Sequence, residues 1–316
     1  MTTTFCPPGL LAIDWGTSAL RGARIAACGD VLEERSFHRG ILTVSPGGFE
    51  AVLEECFGDW RSDGQPTLIS GMAGSRQGWI EAPYCPCPAG FAALAQSLQW
   101  VETARPQAPV ALVPGLCCMD SDIPDVMRGE EVQIFGAIQR TGLRDGSFVL
   151  PGTHSKWAQV RDGQVQHFRT YMTGEFFALL RQHSILGRTL NAEAAFDESA
   201  FVQGVDRARA PGGLLHHAFS ARTLALFERM GADALNSYLS GLLIGAELQE
   251  QMPLADHSIV LIGAATLTAH YALALERHGV ASVRLGAEAT WAGLHALAGS
   301  VTAHGAKLPG TTTPAF

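Results

Sequence analysis

Two turns of similar make-up, Asp14-Trp15-Gly16-Thr17-Ser18 and Pro151-Gly152-Thr153-His154, each follow an apolar stretch and lead into another. This repetition constrains the fold more than any other feature of the chain. Residues 10–13 run into the first turn, and the strand-like stretches 20–26 and 31–37 follow, divided by Gly29-Asp30. Residues 148–150 run into the second turn. Stretches 156–160 and 165–170 follow, divided by Asp162-Gly163, a strong hairpin signal. Each half therefore reads strand, glycine turn, strand, turn, strand, and then becomes helical. That order is not a simple βαβα alternation, which argues against an all-parallel dinucleotide-binding sheet.

The expected architecture is two α/β domains of similar plan with a cleft between them, residues 1–145 and 146–300. The last helix is free to pack back on the first domain, and 301–316, with its Gly, Pro and Thr, reads as a disordered tail. Ser45-Pro46 reads as the start of a helix running to about residue 57, with Ser at the N-cap and Pro at the first position. Helical spacing is expected over 130–139, 223–230, 234–250, a stretch from about 267, and 289–298. Strands are expected over 67–70, 110–113, 258–262 and 282–285.

Composition narrows the function classes. Of 316 residues, 47% are hydrophobic and 16% charged, enough for a substantial core. The formal net charge of -8 and the lack of a basic stripe argue against a nucleic-acid partner. The start of the chain lacks a basic segment followed by an apolar one, and no apolar run is long enough to span a bilayer, so a soluble cytoplasmic protein is expected. The seven cysteines show no zinc-ligand spacing and read as reduced, structural thiols. The oligomeric state is left open, a homodimer included.

There is no G-x-x-x-x-G-K-[ST] and no usable G-x-G-x-x-G, so a bound nucleotide must use other turns for its phosphates. The hairpin tip at Gly16, Thr17 and Ser18 can aim N–H and O–H groups at phosphate oxygens. Asp14, at the end of the preceding strand, can hold Mg²⁺, and Arg21 on the next strand can add a cation. Gly152, Thr153, His154 and Lys156 occupy the matching place in the second half. Gly263-Ala264-Ala265-Thr266 joins a strand to a helix, where small residues allow close approach and a helix N-terminus favours phosphate. Each turn on its own is also what an ordinary hairpin or strand–helix junction would contain; their repetition at matching points is what favours a shared ligand.

The combination I-D-W-G-T-S-x-L-R, G-M-A-G-S-R-Q-G-W, V-P-G-L, V-M-R-G-E-E-x-Q-x-x-G-A, P-G-T-H-S-K-W, R-T-Y-M-T-G-E, S-G-L-L-I-G-A-E and G-A-A-T-L-T-A resembles the 2-dehydro-3-deoxygalactonokinase family. The motifs spread from Ile13 to about Ala269. The resemblance implies the actin/hexokinase-like ATPase fold with two ribonuclease-H-like domains. It also implies ATP with Mg²⁺, and phosphoryl transfer to the C6 hydroxyl of 2-dehydro-3-deoxy-D-galactonate, a small sugar acid. By the same resemblance Gly263, Ala264 and Thr266 lie by the nucleoside, although the family often has Gly-Thr-Ser where Ala264-Ala265-Thr266 stands. Many members of the superfamily place an Asp before the helix that links the domains, and Arg128-Gly129-Glu130-Glu131 stands there. Glu130 is the expected proton acceptor, with Glu131 second and His154 third. The competing reading makes both Glu residues first-turn carboxylates favoured by the helix dipole. A carboxylate acceptor calls for Arg and hydroxyl donors, and Ser75, Arg76 and Arg128 are the candidates. Trp79 can line the sugar pocket or belong to the core, and Glu175 can reach the acceptor from the second domain.

Overall fold

The computed structural model describes residues 8–119, 123–251 and 259–303. The chain divides into two compact units. Unit 1 comprises residues up to 144, residues 161–167 and residues from 287 onward; unit 2 comprises 145–160 and 168–286.

Unit 1 begins with β1 (Pro8–Trp15), β2 (Leu20–Ala26) and β3 (Val31–Phe37), followed by α1 (Phe49–Phe57) and β4 (Thr67–Gly71). Next come β5 (Tyr84–Pro86), α2 (Phe91–Gln96), β6 (Gln99–Val101), β7 (Val110–Leu112), β8 (Gly115–Cys118), β9 (Asp125–Met127) and α3 (Glu130–Thr141). The main sheet has the order β3-β2-β1-β4-β7-β6. The first three strands are antiparallel, and β1, β4 and β7 run parallel. A strand covered on both faces needs a continuous apolar run rather than alternation. Leu10–Ile13 of β1 meets that need, and its residues are buried on both sides. β3 is the edge and carries Glu33, Glu34 and Arg35, charges that discourage pairing with another chain.

Unit 2 repeats the plan with β10 (Gly146–Leu150), β11 (Ser155–Arg161) and β12 (Gln164–Tyr171). A helical group follows: α4 (Thr173–His183), α5 (Glu198–Ala208), α6 (Gly213–Ala218), α7 (Ser220–Leu226) and α8 (Ala232–Gln251). β13 (Ile259–Ile262), α9 (Ala265–Arg277) and β14 (Ser282–Leu285) complete the unit, and α10 (Glu288–Ala303) falls in unit 1. The sheet order is β12-β11-β10-β13-β14, with β10, β13 and β14 parallel. Both units therefore carry three antiparallel strands flanked by two parallel ones, the ribonuclease-H-like order. At the β11–β12 turn both Asp162 (φ 52°) and Gly163 (φ 72°) take the left-handed conformation that a two-residue hairpin demands.

Several expectations shift. The division is not a single cut after residue 145, because the β11–β12 tip groups with unit 1, as does α10, the packing left open above for the last helix. Helix α1 starts at Phe49 rather than Ser45, since the Gly48 N–H donates to Ser45 O and closes a turn there. The helix expected at 223–230 is α7, and it ends at Leu226, before Glu228 turns left-handed. A small sheet, β5-β8-β9, is built from three strands that were not expected, one before Val113 and two after it. Residues 301–303 belong to α10; the rest of the expected tail, 304–316, lies outside the described residues, as does Ser258. No helix among the described residues is long and apolar enough to cross a membrane. Among the described residues, Cys56, Cys85 and Cys117 are free.

Candidate active site

In unit 1 three of the sequence motifs converge on the ends of β1 and β4. Parallel pairing sets Asp14 opposite Ser70 and Trp15 opposite Gly71, while antiparallel pairing sets Asp14 opposite Arg21. Asp14 and Arg21 form an ion pair through Oδ2 and Nη2. The turn after Asp14 closes with the Gly16 N–H donating to Ala19 O at 2.9 Å, leaving Thr17 and Ser18 exposed at the tip. The segment around Gly40 braces this tip: Ile41 N–H donates to Gly16 O, and Leu42 N–H to Thr17 O. A Cβ at Gly40 would lie 2.3 Å from Ser18 N, so only glycine fits.

Gly71 ends β4 with φ 94°, and a side chain there would meet Trp15 O at 2.8 Å and Asp14 Oδ1 at 3.3 Å. The start of α3 packs against the same turn, with a Cβ at Gly129 only 3.4 Å from Gly71 Cα. Asp14, the glycine turn 71–74 and Arg128–Glu131 are thus one neighbourhood.

Arg128 and Arg76 differ in kind. The Arg128 guanidinium donates from Nη2 to Ala82 O at 2.8 Å and lies over the Tyr84 ring at 4.4 Å. Its Nε and Nη1 are buried without a hydrogen-bond partner, and a Cβ at Gly74 would sit 3.0 Å from Nη1. The hydroxyls of Ser70 and Ser75 are likewise buried and unpartnered. Ser70 was not singled out in the sequence; the signal is its pairing opposite Asp14 at the end of a parallel strand. Arg76 is 87% exposed and paired with Glu81 at 3.4 Å. Trp79 stacks on Phe49, ring centroids 6.1 Å apart, and meets Trp15 edge-on, so its ring belongs to the core of this unit.

Both acidic residues of α3 fold back onto its first turn. Glu130 Oε2 accepts from the Arg128 N–H at 3.0 Å, and Glu131 Oε2 accepts from the Gly129 N–H at 2.7 Å. Such bonds satisfy N–H groups that a helix start leaves free. Glu131 is fully buried, and burial, with Glu130 adjacent, pushes its carboxyl up to about 8. It carries a proton at neutral pH.

In unit 2 two further motifs meet. β10 and β13 pair in parallel, and a Cβ at Gly263 would lie 3.5 Å from Pro151 O, so the Pro151–His154 turn and the Gly263–Thr266 turn are neighbours. Ala264, Ala265 and Thr266 are exposed at the start of α9. The first turn of α4 packs against the other side: Glu175 N–H donates to Thr153 O at 3.0 Å, and a Cβ at Gly174 would be 2.3 Å from Gly152 O. His154 Nε2 lies 2.6 Å from Glu175 Oε2, which joins two candidates assigned to different ligands. Lys156 is buried within β11, and its ammonium donates to Thr170 Oγ1 at 2.7 Å.

Glu247 of α8, within S-G-L-L-I-G-A-E but without an expected role, organises this face. Its Oε1 accepts from Ser155 Oγ at 2.7 Å and Trp157 Nε1 at 2.6 Å; its Oε2 accepts from Tyr271 OH at 2.7 Å and from Thr173 Oγ1. Burial raises its pKa above the usual carboxylate range while the four donors oppose that rise. One carboxylate thereby ties the strand after the turn, α4 and α9 together.

Duplicated ribonuclease-H-like sheets, each with a glycine turn at the end of its first strand, define the actin/hexokinase-like ATPase class. A crystal structure of the activator of 2-hydroxyisocaproyl-CoA dehydratase from Clostridium difficile shares this fold, with a TM-score of 0.51 at 9% identity over 97% of this chain and 99% of that one. The family model for 2-keto-3-deoxy-galactonokinase matches residues 14–297, and the chain belongs to that family. It is 35% identical over 271 residues to the 2-dehydro-3-deoxygalactonokinase of Escherichia coli (strain K12), covering 85% of this chain and 90% of that protein. The crystal structure of a Sinorhizobium meliloti protein described under the same kinase name superposes with a TM-score of 0.86 at 36% identity, covering 92% of this chain and 99% of that one.

Proposed function

We propose that the chain is an ATP-dependent sugar-acid kinase that phosphorylates the C6 hydroxyl of 2-dehydro-3-deoxy-D-galactonate, yielding the 6-phosphate and ADP, within galactonate catabolism. Family membership supports the reaction, and the Escherichia coli relative is named for it. The observation that carries the acceptor class is Arg128. A partly buried guanidinium whose Nε and Nη1 lack hydrogen-bond partners calls for an anionic acceptor, and a carboxylate is one. Ser70 and Ser75 carry buried, unpartnered hydroxyls, and a Cβ at Gly129, next to Arg128 in the chain, would lie 4.0 Å from Ser70 Oγ. Arg76, exposed and already paired with Glu81, is the weaker acid-binding candidate.

The remaining roles are assigned within each unit. Glu130 takes the proton of the acceptor hydroxyl as the new O–P bond forms and the bond to the departing diphosphate breaks. Glu131 is a poor base, because at neutral pH it already holds a proton. Gly16, Thr17, Ser18 and Arg21 offer donors to phosphate oxygens from unit 1; Gly152, Thr153 and His154 offer them from unit 2, with the α9 N-terminus at Gly263–Thr266 nearby. Lys156 adds positive potential from within its strand, and Glu175 holds His154 in place.

Among the described residues no three His, Cys, Asp or Glu side chains form a metal cage. Mg²⁺ does not require one, since it is commonly held by one or two carboxylates together with substrate phosphates and water. The Asp14 carboxylate, at a strand end beside a donor-rich turn, fits that pattern. When bound, Mg²⁺ and ATP supply charge neutralisation and the phosphoryl group; the chain supplies alignment and the proton acceptor.

A coupled ADP assay over 2-dehydro-3-deoxygalactonate, its C4 epimer and neutral hexoses tests the proposal. Turnover is expected with the galactonate-derived acid and not with neutral sugars. ADP release indifferent to every acceptor would instead indicate a nucleotide-driven interaction module.

A further inference from the structure

Unit 2 contains a cavity of about 280 Å³ bordered by α4, α8 and α9. Gly152 lines it, so the cavity lies beside the Pro151–His154 turn. Its size is just below the roughly 300–1,000 Å³ of small-molecule pockets, which suits a flat ring better than a whole nucleotide. Leu243, Ile244 and Leu267 contribute apolar wall. Phe196 and His270 also line it and stack on each other, with centroids 4.2 Å apart and planes 15° apart. Burial holds the His270 imidazole below its usual pKa, so the ring is neutral near pH 7 and behaves as a flat, weakly polar surface.

Against the apolar part of this lining stands an unmet polar group. Asn236, on α8, lines the cavity, and its Oδ1 is buried without a hydrogen-bond partner. Its neighbour Ser237 is engaged, accepting the Asp197 N–H at 2.9 Å. An orphan buried acceptor is unfavourable unless a donor reaches it, and a ligand can bring that donor. The cavity therefore fits a flat heteroaromatic ring with an N–H donor on its edge.

We infer that this cavity receives the base of the phosphoryl-donor nucleotide, and that Asn236 Oδ1 accepts a hydrogen bond from the exocyclic amino group of adenine. The inference rests on the kinase reading above and deepens it by assigning the residue that selects the nucleotide. Hypoxanthine and guanine carry a carbonyl oxygen where adenine carries that amino group. Two acceptors would then face each other in a buried site, and a site built to bond one partner rejects the mismatched one strongly. Gly152 beside the cavity places the same nucleotide's phosphates toward the Thr153 turn.

The test is equilibrium binding of ADP and IDP, measured by calorimetry on the full chain, with ATP and ITP compared in turnover. The unmodified protein is expected to bind ADP at least about tenfold more tightly than IDP. Asn236→Leu, close to isosteric, is expected to weaken ADP about tenfold and bring the two affinities together. Equal affinity of the unmodified protein for ADP and IDP overturns the inference while leaving the kinase reading intact, and this comparison needs no variant to fold. An unchanged ADP-to-IDP ratio in a folded Asn236→Leu overturns it as well. Failure of both nucleotides to bind removes the kinase reading itself, and the inference with it.

Discussion

Asp14 and Arg21 face each other across β1 and β2, and their partly exposed ion pair decides what a substitution does. Such a pair contributes about 1 kcal/mol or less to stability, so Asp14→Ala is expected to melt near the parent temperature. Turnover is expected to fall about a hundredfold or more, in line with the loss of a preorganised electrostatic group. Unchanged turnover in a folded Asp14→Ala would remove this residue from the site. Arg128→Met is expected to raise the acceptor KM by about 10- to 100-fold while sparing that of ATP, the scale of a hydrogen bond to a charged partner. Arg128→Lys should not rescue it, because an ammonium cannot reproduce the fork. An unaltered acceptor KM in both variants would show that the acid is read elsewhere. The sequence offered Arg76 and Arg128 on equal terms, because a motif carries residue type and not burial. Only the packing of Tyr84, Ala82 and Gly74 around Arg128 separates them. Motif position places Glu130 ahead of Glu131 as proton acceptor without a physical ground, and burial supplies a physical difference between them, since only Glu131 is fully buried.

At the scale of elements, the first turn of α3 carries a pH signature. Glu131 is raised from 4.5 to about 8 by burial and by Glu130, while Arg128 and the Gly129 N–H pull the other way. The folded state therefore holds this proton where the unfolded chain has released it. Its contribution is complete below pH 4.5 and is lost as the pH rises through about 8. Melting temperature is expected to fall from about pH 5 to about pH 8.5, and Glu131→Gln to flatten that slope. A slope identical in both proteins would mean that Glu131 is not the titrating group. Glu247 is the corresponding anchor in unit 2. Glu247→Gln sets an amide NH₂ against donors, including the Trp157 indole N–H, which cannot reverse its role. A loss of about 1–3 kcal/mol in denaturant unfolding is expected; no loss would mean that the network is dispensable. Elements with clean strand or hairpin signals, such as β2, β3 and the β11–β12 turn, were legible in the sequence. The α1 start was not, because Ser45-Pro46 serves a turn as well as a helix cap, and tertiary packing of Phe49 chose between them.

For the whole molecule, the repeated order of strands and glycine turns was the strongest signal, and both units show the same sheet plan. What sequence order could not reveal is the membership of the β11–β12 tip, which joins unit 1; the return of α10 to that unit is the packing the sequence left open for the last helix. The proposal for the whole is that the glycine turn of each unit, Gly16–Ser18 in one and Gly152–His154 in the other, is a nucleotide-phosphate contact. Hydrogen exchange with and without Mg²⁺ and a non-hydrolysable ATP analogue tests this most directly. The account predicts slowed exchange at both turns, with the same dependence on analogue concentration. Protection at one turn alone, with the other exchanging at its free rate under saturation, would contradict it.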